Sequence, residues 1–249
     1  MYKVFVKPLL DVTFSFIALL VLSPLLIFIM ILLTFANKGR PFYCQKRPGK
    51  NGKLFRLIKF RTMIDKFDAD GIILPDKHRI TRIGRFLRST SIDEFPQLLN
   101  ILSLKMSFIG PRPLLTEYLH LYNPHQARRH EVKPGITGWA QVNGRNSISW
   151  NEKFDLDVWY VDNIGARTDL RIFFKTVLKV LTRQGINSSE QLTMKAFEGN
   201  YWLTMGFQQF NNVTIRGIAA CVPRNTEDNR ILTLLGSPER VRKFIIRQE

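Results

Sequence analysis

Apolar positions along the chain follow three patterns. Val12 to Ala36 is a continuous apolar run with no charged residue. A helix of that length, at ~1.5 Å per residue, matches the ~30 Å hydrocarbon core of a bilayer. Lys53-Leu-Phe-Arg-Leu-Ile-Lys-Phe-Arg61 alternates apolar and basic residues over much of its length. That predicts a short strand with one packed and one cationic face. Between Thr168 and Thr182 the pattern is helical. Phe173, Phe174, Val177, Leu178 and Leu181 form one face, Arg171, Lys175, Lys179 and Arg183 recur every four residues, and Thr168 or Asp169 can serve as N-cap. Such a helix suits either the lipid headgroup plane or an ordinary protein surface. Pro96 belongs in a first helical turn, so a further apolar helix is expected from Ile92–Glu94 to about Leu102. Ser107–Pro113 and Lys133–Asn146 are turn-rich. The expected class is α+β and mainly helical, with a short β hairpin and amphipathic surface helices.

The first run carries Ser23-Pro24 at its centre. Proline removes a backbone donor and clashes with the preceding turn, so a kink is expected there. Each arm alone, ~18 Å, is too short to cross a bilayer. Basic residues flank both ends: Lys3 and Lys7 before it, and Lys38, Arg40, Lys46, Arg47, Lys50 and Lys53 after it. Positive charge favours the cytoplasmic side. These features fit a re-entrant hairpin and a kinked transmembrane helix about equally. The run is too long for a signal-peptide core and no small-residue cleavage site follows, so it is expected to be retained.

Charge changes the picture. The 249 residues hold 37 Lys+Arg against 20 Asp+Glu, a net charge of +17. Nine of the basic residues fall between Lys38 and Ile64, where no acid occurs. Another cluster comprises Lys77, Arg79, Arg82, Arg85 and Arg88. The partners must be anionic: phosphorylated substrates, anionic lipid or nucleic acid. A nucleic-acid-binding module and a non-catalytic membrane scaffold are therefore alternatives to an enzyme. Cys44 and Cys221 are far apart and suggest two free thiols. His120, His125 and His130 are five residues apart, a spacing that does not align two ligands on a helix. Asp65–Gly71 resembles a calcium loop only superficially, because Lys66 and Lys77 fall where carboxylates belong.

Three segments carry candidate chemistry. Asp93-Glu94 follows the basic cluster and precedes Pro96. Ser91 with Glu94 fits a capping box, and Asp93 is an alternative cap. Either way both carboxylates sit at a helix N-terminus, where exposed N–H groups favour anions. A carboxylate there can act as a nucleophile, and a neighbouring one can hold Mg²⁺. Gly110-Pro-Arg-Pro113 fixes the backbone around Arg112, whose guanidinium can grip phosphate. Lys133-Pro-Gly-Ile-Thr-Gly-Trp-Ala-Gln-Val-Asn-Gly-Arg-Asn146 offers glycines for close approach to a ligand, and Gln141, Asn143, Arg145 and Asn146 as donors.

Taken together, the Ser23-Pro24-broken helix, Lys59-Phe-Arg-Thr-Met63, Ser91-Ile-Asp-Glu-Phe-Pro-Gln-Leu-Leu-Asn100, Met106-Ser-Phe-Ile-Gly-Pro-Arg-Pro113 and Lys133–Asn146 resemble the monotopic phosphoglycosyl transferases of bacteria. The resemblance covers about residues 1–200 and is nearest to PglC-type enzymes, which initiate protein N-glycan assembly. It implies a re-entrant membrane helix over 1–37, a cytosolic transferase domain over 38–200 and a place on the cytoplasmic face of the inner membrane. It implies that Asp93 attacks a UDP-sugar, releases UMP and passes the phosphosugar to undecaprenyl phosphate. Glu94 would bind Mg²⁺, and Lys59, Arg61, Arg88, Arg112 and Arg145 would meet phosphates. An acetamido sugar such as N,N′-diacetylbacillosamine is the implied donor sugar, membrane lipid and downstream glycosyltransferases are implied partners, and nucleic acid is not. Two departures stand out. Leu104-Lys105 occupies the place where the family usually has Gly-Asp. The 201–249 extension departs from the family, and its 212–249 stretch resembles the truncated opening of a ketoacyl synthase, too short for that activity, so Cys221 is not read as a nucleophile.

Overall fold

The computed structural model describes residues 1–68, 70–144, 148–182 and 196–199. Arg145 and the extension that begins at 201 lie outside these described residues. Helix α1 spans Lys7–Ala36 and follows a π-helical turn at Tyr2–Val6. Its inward stripe includes the buried Asp11, Ser15, Ile29 and Leu33, with Ala18, Leu19, Leu22, Leu26 and Met30 packed on the same side. Leu9, Phe14, Ile17, Val21, Phe28 and Phe35 are exposed on its other sides. The helix is continuous through Pro24. Pro24 has no N–H for the Leu20 carbonyl, and the Ser23 hydroxyl takes that place, donating to Leu20 O at 2.8 Å.

Polar contacts tie the first turns of α1, and the residues that flank it at both ends, to the rest of the molecule. Tyr2 Oη and Lys7 Nζ each donate to Asp169 Oδ2 at 2.7 Å. The Phe108 amide donates to Asp11 Oδ1 at 3.1 Å, Ser15 Oγ to Leu98 O at 2.7 Å, and Asn37 Nδ2 to Arg61 O at 2.7 Å.

Strands β1 (Phe42–Pro48) and β2 (Leu54–Phe60) form the expected antiparallel hairpin, with Tyr43 opposite Lys59, Gln45 opposite Leu57 and Arg47 opposite Phe55. The expected division into a packed and a cationic face does not hold. Phe55 and Leu57 pack against Leu98, Ile101 and Met106, while Phe60, on the opposite face, packs against Ile29, Leu33 and Leu87. Two layers of core therefore sandwich β2, and Lys59 shares a face with Phe55 and Leu57.

The basic cluster folds as α2 (Asp76–Arg79) and α3 (Arg82–Ser89), the latter capped by Thr81, whose Oγ1 accepts from the Gly84 amide at 2.9 Å. A 3₁₀ helix over Ile92–Gln97 leads into α4 (Leu98–Leu102). At the end of α4, the Lys105 amide bonds Asn100 O and the Leu104 amide bonds Ile101 O, the two bonds of a Schellman cap. That cap requires a left-handed residue, and Leu104 supplies it at φ 57°. The resemblance leads to glycine as the expected residue at this position.

Parallel strands β3 (Ser107–Ile109) and β4 (Gly135–Thr137) bring the two turn-rich motifs side by side. Short helix α5 (Pro124–Ala127) lies between them in sequence, and α6 (Trp139–Asn143) follows β4. Helix α7 (Trp150–Asp162) begins with a capping box formed by Ser149 and Glu152. Helix α8 (Ala166–Leu181) starts after Gly165 with no side-chain cap. Neither Thr168 nor Asp169 is its N-cap. Asp169 is buried and turned inward, where its Oδ1 also accepts from Tyr160 Oη at 2.8 Å. The apolar face of α8, Phe173, Phe174, Leu178 and Leu181, is exposed.

Leu104→Gly is expected to stabilise the fold by about 0.5–1 kcal/mol, because glycine adopts the left-handed cap without the Cβ clash that leucine suffers. Thermal unfolding in detergent measures it, and an unchanged or lower midpoint would contradict the strain at this cap.

Candidate active site

The dyad sits on the Ile92–Gln97 3₁₀ helix. Ser91, at φ 58°, turns the chain sharply into that helix and makes no side-chain cap. The expected capping box is therefore absent, and Asp93 is the second residue of the helix and not its cap. Glu94 has other partners: its Oε1 accepts from Lys59 Nζ at 2.7 Å and from Arg112 Nη2 at 2.6 Å. Although burial pulls the other way, Arg112 and Lys59 outweigh it and hold the Glu94 carboxyl well below the usual carboxylate range. Asp93 differs. It is buried, 9% exposed, and makes no side-chain hydrogen bond or ion pair among the described residues. Burial and the adjacent Glu94 push its pKa up to about 6, against the pull of Lys59, Arg88 and Arg112. The helix N-terminus does not overcome that desolvation.

Asp93 and Glu94 line a cavity of about 750 Å³. Lys59, Arg61, Arg88, Arg112 and Gln141 line it too, so five of the expected substrate contacts converge there. Arg61 reaches Asp65 at 2.6 Å, and Arg88 Nε donates to Thr62 Oγ1 at 2.9 Å. Gln141 donates to Ile136 O at 3.2 Å, while its Oε1 is buried without a partner among the described residues. Asn143 is not among the lining residues; it donates to Trp139 O and accepts from Lys175 Nζ at 2.9 Å. Its place near the end of α6 sets it against α8. Residues that sequence reasoning did not assign also line the cavity: Tyr43, Gln45 and Arg47 of β1, Arg79, Arg85, and Thr176 and Lys179 of α8. The alternation Tyr43-x-Gln45-x-Arg47 opposite β2 is the signal that could have found the first three.

The glycines of the two motifs act differently from the expectation. A Cβ on Gly135 would lie 2.1 Å from Gly110 N, and one on Gly138 would lie 2.2 Å from Gly110 O. The close approach is between two backbone segments and not toward a ligand. That contact fixes the Gly110–Pro113 turn and with it Arg112. The turn has a second support: Arg129 Nη2 donates to Arg112 O at 2.7 Å. Arg129 is itself fully buried in an ion pair with Asp157 at 2.8 Å and lies over the rings of Tyr122 and Phe154.

Among the described residues there is no group of three or more His, Cys, Asp and Glu side chains able to hold a metal. The donors present still fit Mg²⁺ in its usual manner. That ion is commonly bound by one or two carboxylates and completed by phosphate oxygens and water. Asp93 and Glu94 are such carboxylates, and they face a cavity of phosphate-binding character.

Residues 2–183 match the bacterial sugar transferase family. The chain belongs to that family, and with it to the phosphoglycosyl transferases that its motifs resemble. It is 51% identical over 194 residues to the uncharacterized sugar transferase EpsL of Bacillus subtilis (strain 168), covering 78% of this chain and 96% of that protein. It is 37% identical over 198 residues to the undecaprenyl-phosphate galactose phosphotransferase of Salmonella typhimurium, covering 73% of this chain and 41% of that protein. It is 38% identical over 181 residues to the undecaprenyl-phosphate glucose phosphotransferase of Komagataeibacter xylinus, covering 67% of this chain and 34% of that one.

In metal-free protein carrying ¹³C-labelled aspartate, the Asp93 carboxyl is expected to titrate near pH 6, well above the ordinary 3.8. Glu94→Gln should move that midpoint down, since it removes the adjacent negative charge and releases Lys59 and Arg112 toward Asp93. A midpoint near 4 in the unaltered protein would show that the cations outweigh burial.

Proposed function

We propose that this chain transfers a phosphosugar from a UDP-sugar to undecaprenyl phosphate through a covalent intermediate on Asp93. The observation that carries this reading is the buried, unpartnered Asp93 carboxylate on the wall of a cationic cavity, beside a Glu94 already neutralised by Lys59 and Arg112. An Asp93 oxygen attacks the β-phosphorus of the donor. A new O–P bond forms, the bond to the bridging oxygen breaks, and UMP leaves with that electron pair. An oxygen of the lipid phosphate then attacks the same phosphorus, which restores the carboxylate and yields a lipid diphosphate sugar. Lys59, Arg88 and Arg112 stabilise the charge that gathers on the phosphoryl oxygens. Mg²⁺ bound at Glu94 would screen the diphosphate. The relatives named for galactose and glucose phosphotransfer support a UDP-hexose, and the PglC-like motifs support an acetamido sugar such as UDP-N,N′-diacetylbacillosamine. Either product would open glycan assembly on the membrane, ahead of glycosyltransferases that extend it.

The membrane seat in this reading is monotopic, with α1 re-entrant and the cavity on the cytoplasmic face. Its support is that α1 bonds the same domain near both ends, at Lys7 and at Asn37, and exposes apolar side chains elsewhere. Contacts to one domain near both ends of the helix support a course that returns to the side it entered from. The exposed apolar face of α8 suits the same interface.

A screen of UMP release across UDP-sugars, with a short polyprenyl phosphate and Mg²⁺, tests the reaction. Turnover is expected for at least one donor, with labelled phosphosugar retained on denatured protein. Asp93→Asn should lose both by roughly 1,000-fold or more. Full turnover by Asp93→Asn would end the covalent mechanism.

Topology has its own test. In a Cys44→Ser, Cys221→Ser background, Lys3→Cys and Lys38→Cys should both react with a membrane-impermeant maleimide only from the cytoplasmic side. Labelling of Lys3→Cys from the opposite side would make α1 a transmembrane span.

A further inference from the structure

The cations around the cavity are unequally matched with acids. Lys59 and Arg112 share Glu94, while Arg61 and Arg79 share Asp65. Arg47 lines the same cavity and has no carboxylate within ion-pair distance among the described residues. Its Nη2 donates to Gln45 Oε1 at 2.7 Å, and its buried Nε meets no acceptor among the described residues. Burial, then the nearby Arg112, lower its pKa from the ordinary value, against smaller opposing pulls from Tyr43, Glu117 and Tyr118. A guanidinium withdrawn from water beside another cation is costly unless an anion joins it.

The strand supplies further donors for such an anion. Tyr43, Gln45 and Arg47 alternate on one face of β1 and all three line the cavity. The Tyr43 hydroxyl and the Gln45 amide nitrogen make no hydrogen bond among the described residues, while Gln45 Oε1 steadies the guanidinium. Tyr43 stands opposite Lys59. Arg47 is four residues further along, about 13 Å on an extended strand. Its side chain therefore addresses a different part of the cavity wall from Lys59. Arg47 is also the only one of the three with a permanent charge, so it sets the sign of the ligand.

We propose that Arg47, steadied by Gln45, forms a second phosphoryl-binding subsite, beside Arg112 and apart from Lys59. This rests on the transferase reading, in which two phosphorylated substrates use one cavity in turn and the donor alone carries two phosphates. The chemistry fits the phosphate of the lipid acceptor and the α-phosphate of the nucleotide donor alike, and kinetics distinguish them.

The test uses the full-length protein, Arg47→Gln and Arg47→Lys, each with its melting midpoint recorded. KM is measured separately for decaprenyl phosphate and for the UDP-sugar that the unaltered protein turns over. Arg47→Gln should raise one KM at least 10-fold with a smaller change in kcat and an unchanged midpoint, and Arg47→Lys should recover part of the loss. A rise for decaprenyl phosphate assigns the subsite to the acceptor, and a rise for the UDP-sugar assigns it to the donor. Both KM values within twofold of the unaltered protein would overturn the subsite. If the unaltered protein releases no UMP, the transferase reading fails, and the subsite is then judged by inorganic pyrophosphate. Pyrophosphate should raise the melting midpoint of the unaltered protein and raise that of Arg47→Gln less. Equal shifts, or none, would overturn the proposal.

Discussion

Glu94 accepts hydrogen bonds from Lys59 and Arg112 on a single oxygen, and three separate segments meet at that atom. Lys59 comes from β2, Glu94 from the 3₁₀ helix that opens α4, and Arg112 from the turn after β3. Each is held in turn by the fold behind it. The face of β2 that carries Lys59 packs through Phe55 and Leu57 on Leu98 and Ile101 of α4. Arg112 is fixed by the contact of Gly110 with Gly135 and Gly138, and by Arg129 on its carbonyl. A buried carboxylate with two charge-assisted bonds favours this arrangement over looser ones, since losing either partner would leave charge uncompensated away from water. The Arg129–Asp157 pair, fully buried beneath the turn, imposes the same constraint one layer deeper.

What the sequence made legible was local. The alternation in Lys53–Arg61 located β2, Pro96 located the helix start, and the mixed faces of 168–182 located α8. Its partner β1 was not read as a strand, because its basic residues looked like a juxtamembrane charge belt. Arg47 was lost with it. Ser149-x-x-Glu152 carried a capping signal for α7 that the surrounding motif obscured. Asp169 shows the limit of cap reasoning: the same carboxylate suits a helix start and a buried acceptor, and only Tyr2, Lys7 and Tyr160, distant in sequence, decide between them. Glycines carry the same ambiguity, since a missing Cβ admits a ligand or another backbone equally well. Arg129 and Asp157 had no local pattern at all; they meet across 28 residues.

Helix α1 joins membrane and site through the same packing. Its inward stripe belongs to the cores beneath β2 and α3, where Leu98 and Leu87 meet it. Ser15 bonds the carbonyl of Leu98, the first residue after the segment that carries the dyad. Most other faces of α1 are apolar and exposed. A hydrophobic helix with a designed inward stripe is neither a free anchor nor a soluble core helix. The Ser23-Pro24 step belongs to this compromise. Ser23 supplies the hydrogen bond that Pro24 removes, so the proline weakens the helix locally without breaking it.

The dyad divides two roles between neighbours on one short helix. Asp93 is buried and Glu94 partly so, desolvation raises both, and the difference lies in partners. Glu94 takes the two nearest cations as direct hydrogen-bond donors and is held ionised. Asp93 feels Lys59, Arg88 and Arg112 only at a distance, and Glu94 repels it. Adjacent titratable groups driven apart in this way mark distinct chemical tasks. A carboxylate whose charge two direct cation donors already offset is the weaker nucleophile. Asp93, without hydrogen bonds among the described residues and in a cavity ringed by cations, keeps its lone pairs free, as the proposed covalent step requires. The pairing that pins Glu94 is thus what leaves Asp93 available. Exchanging their partners would give a dyad of equal charge and much less use.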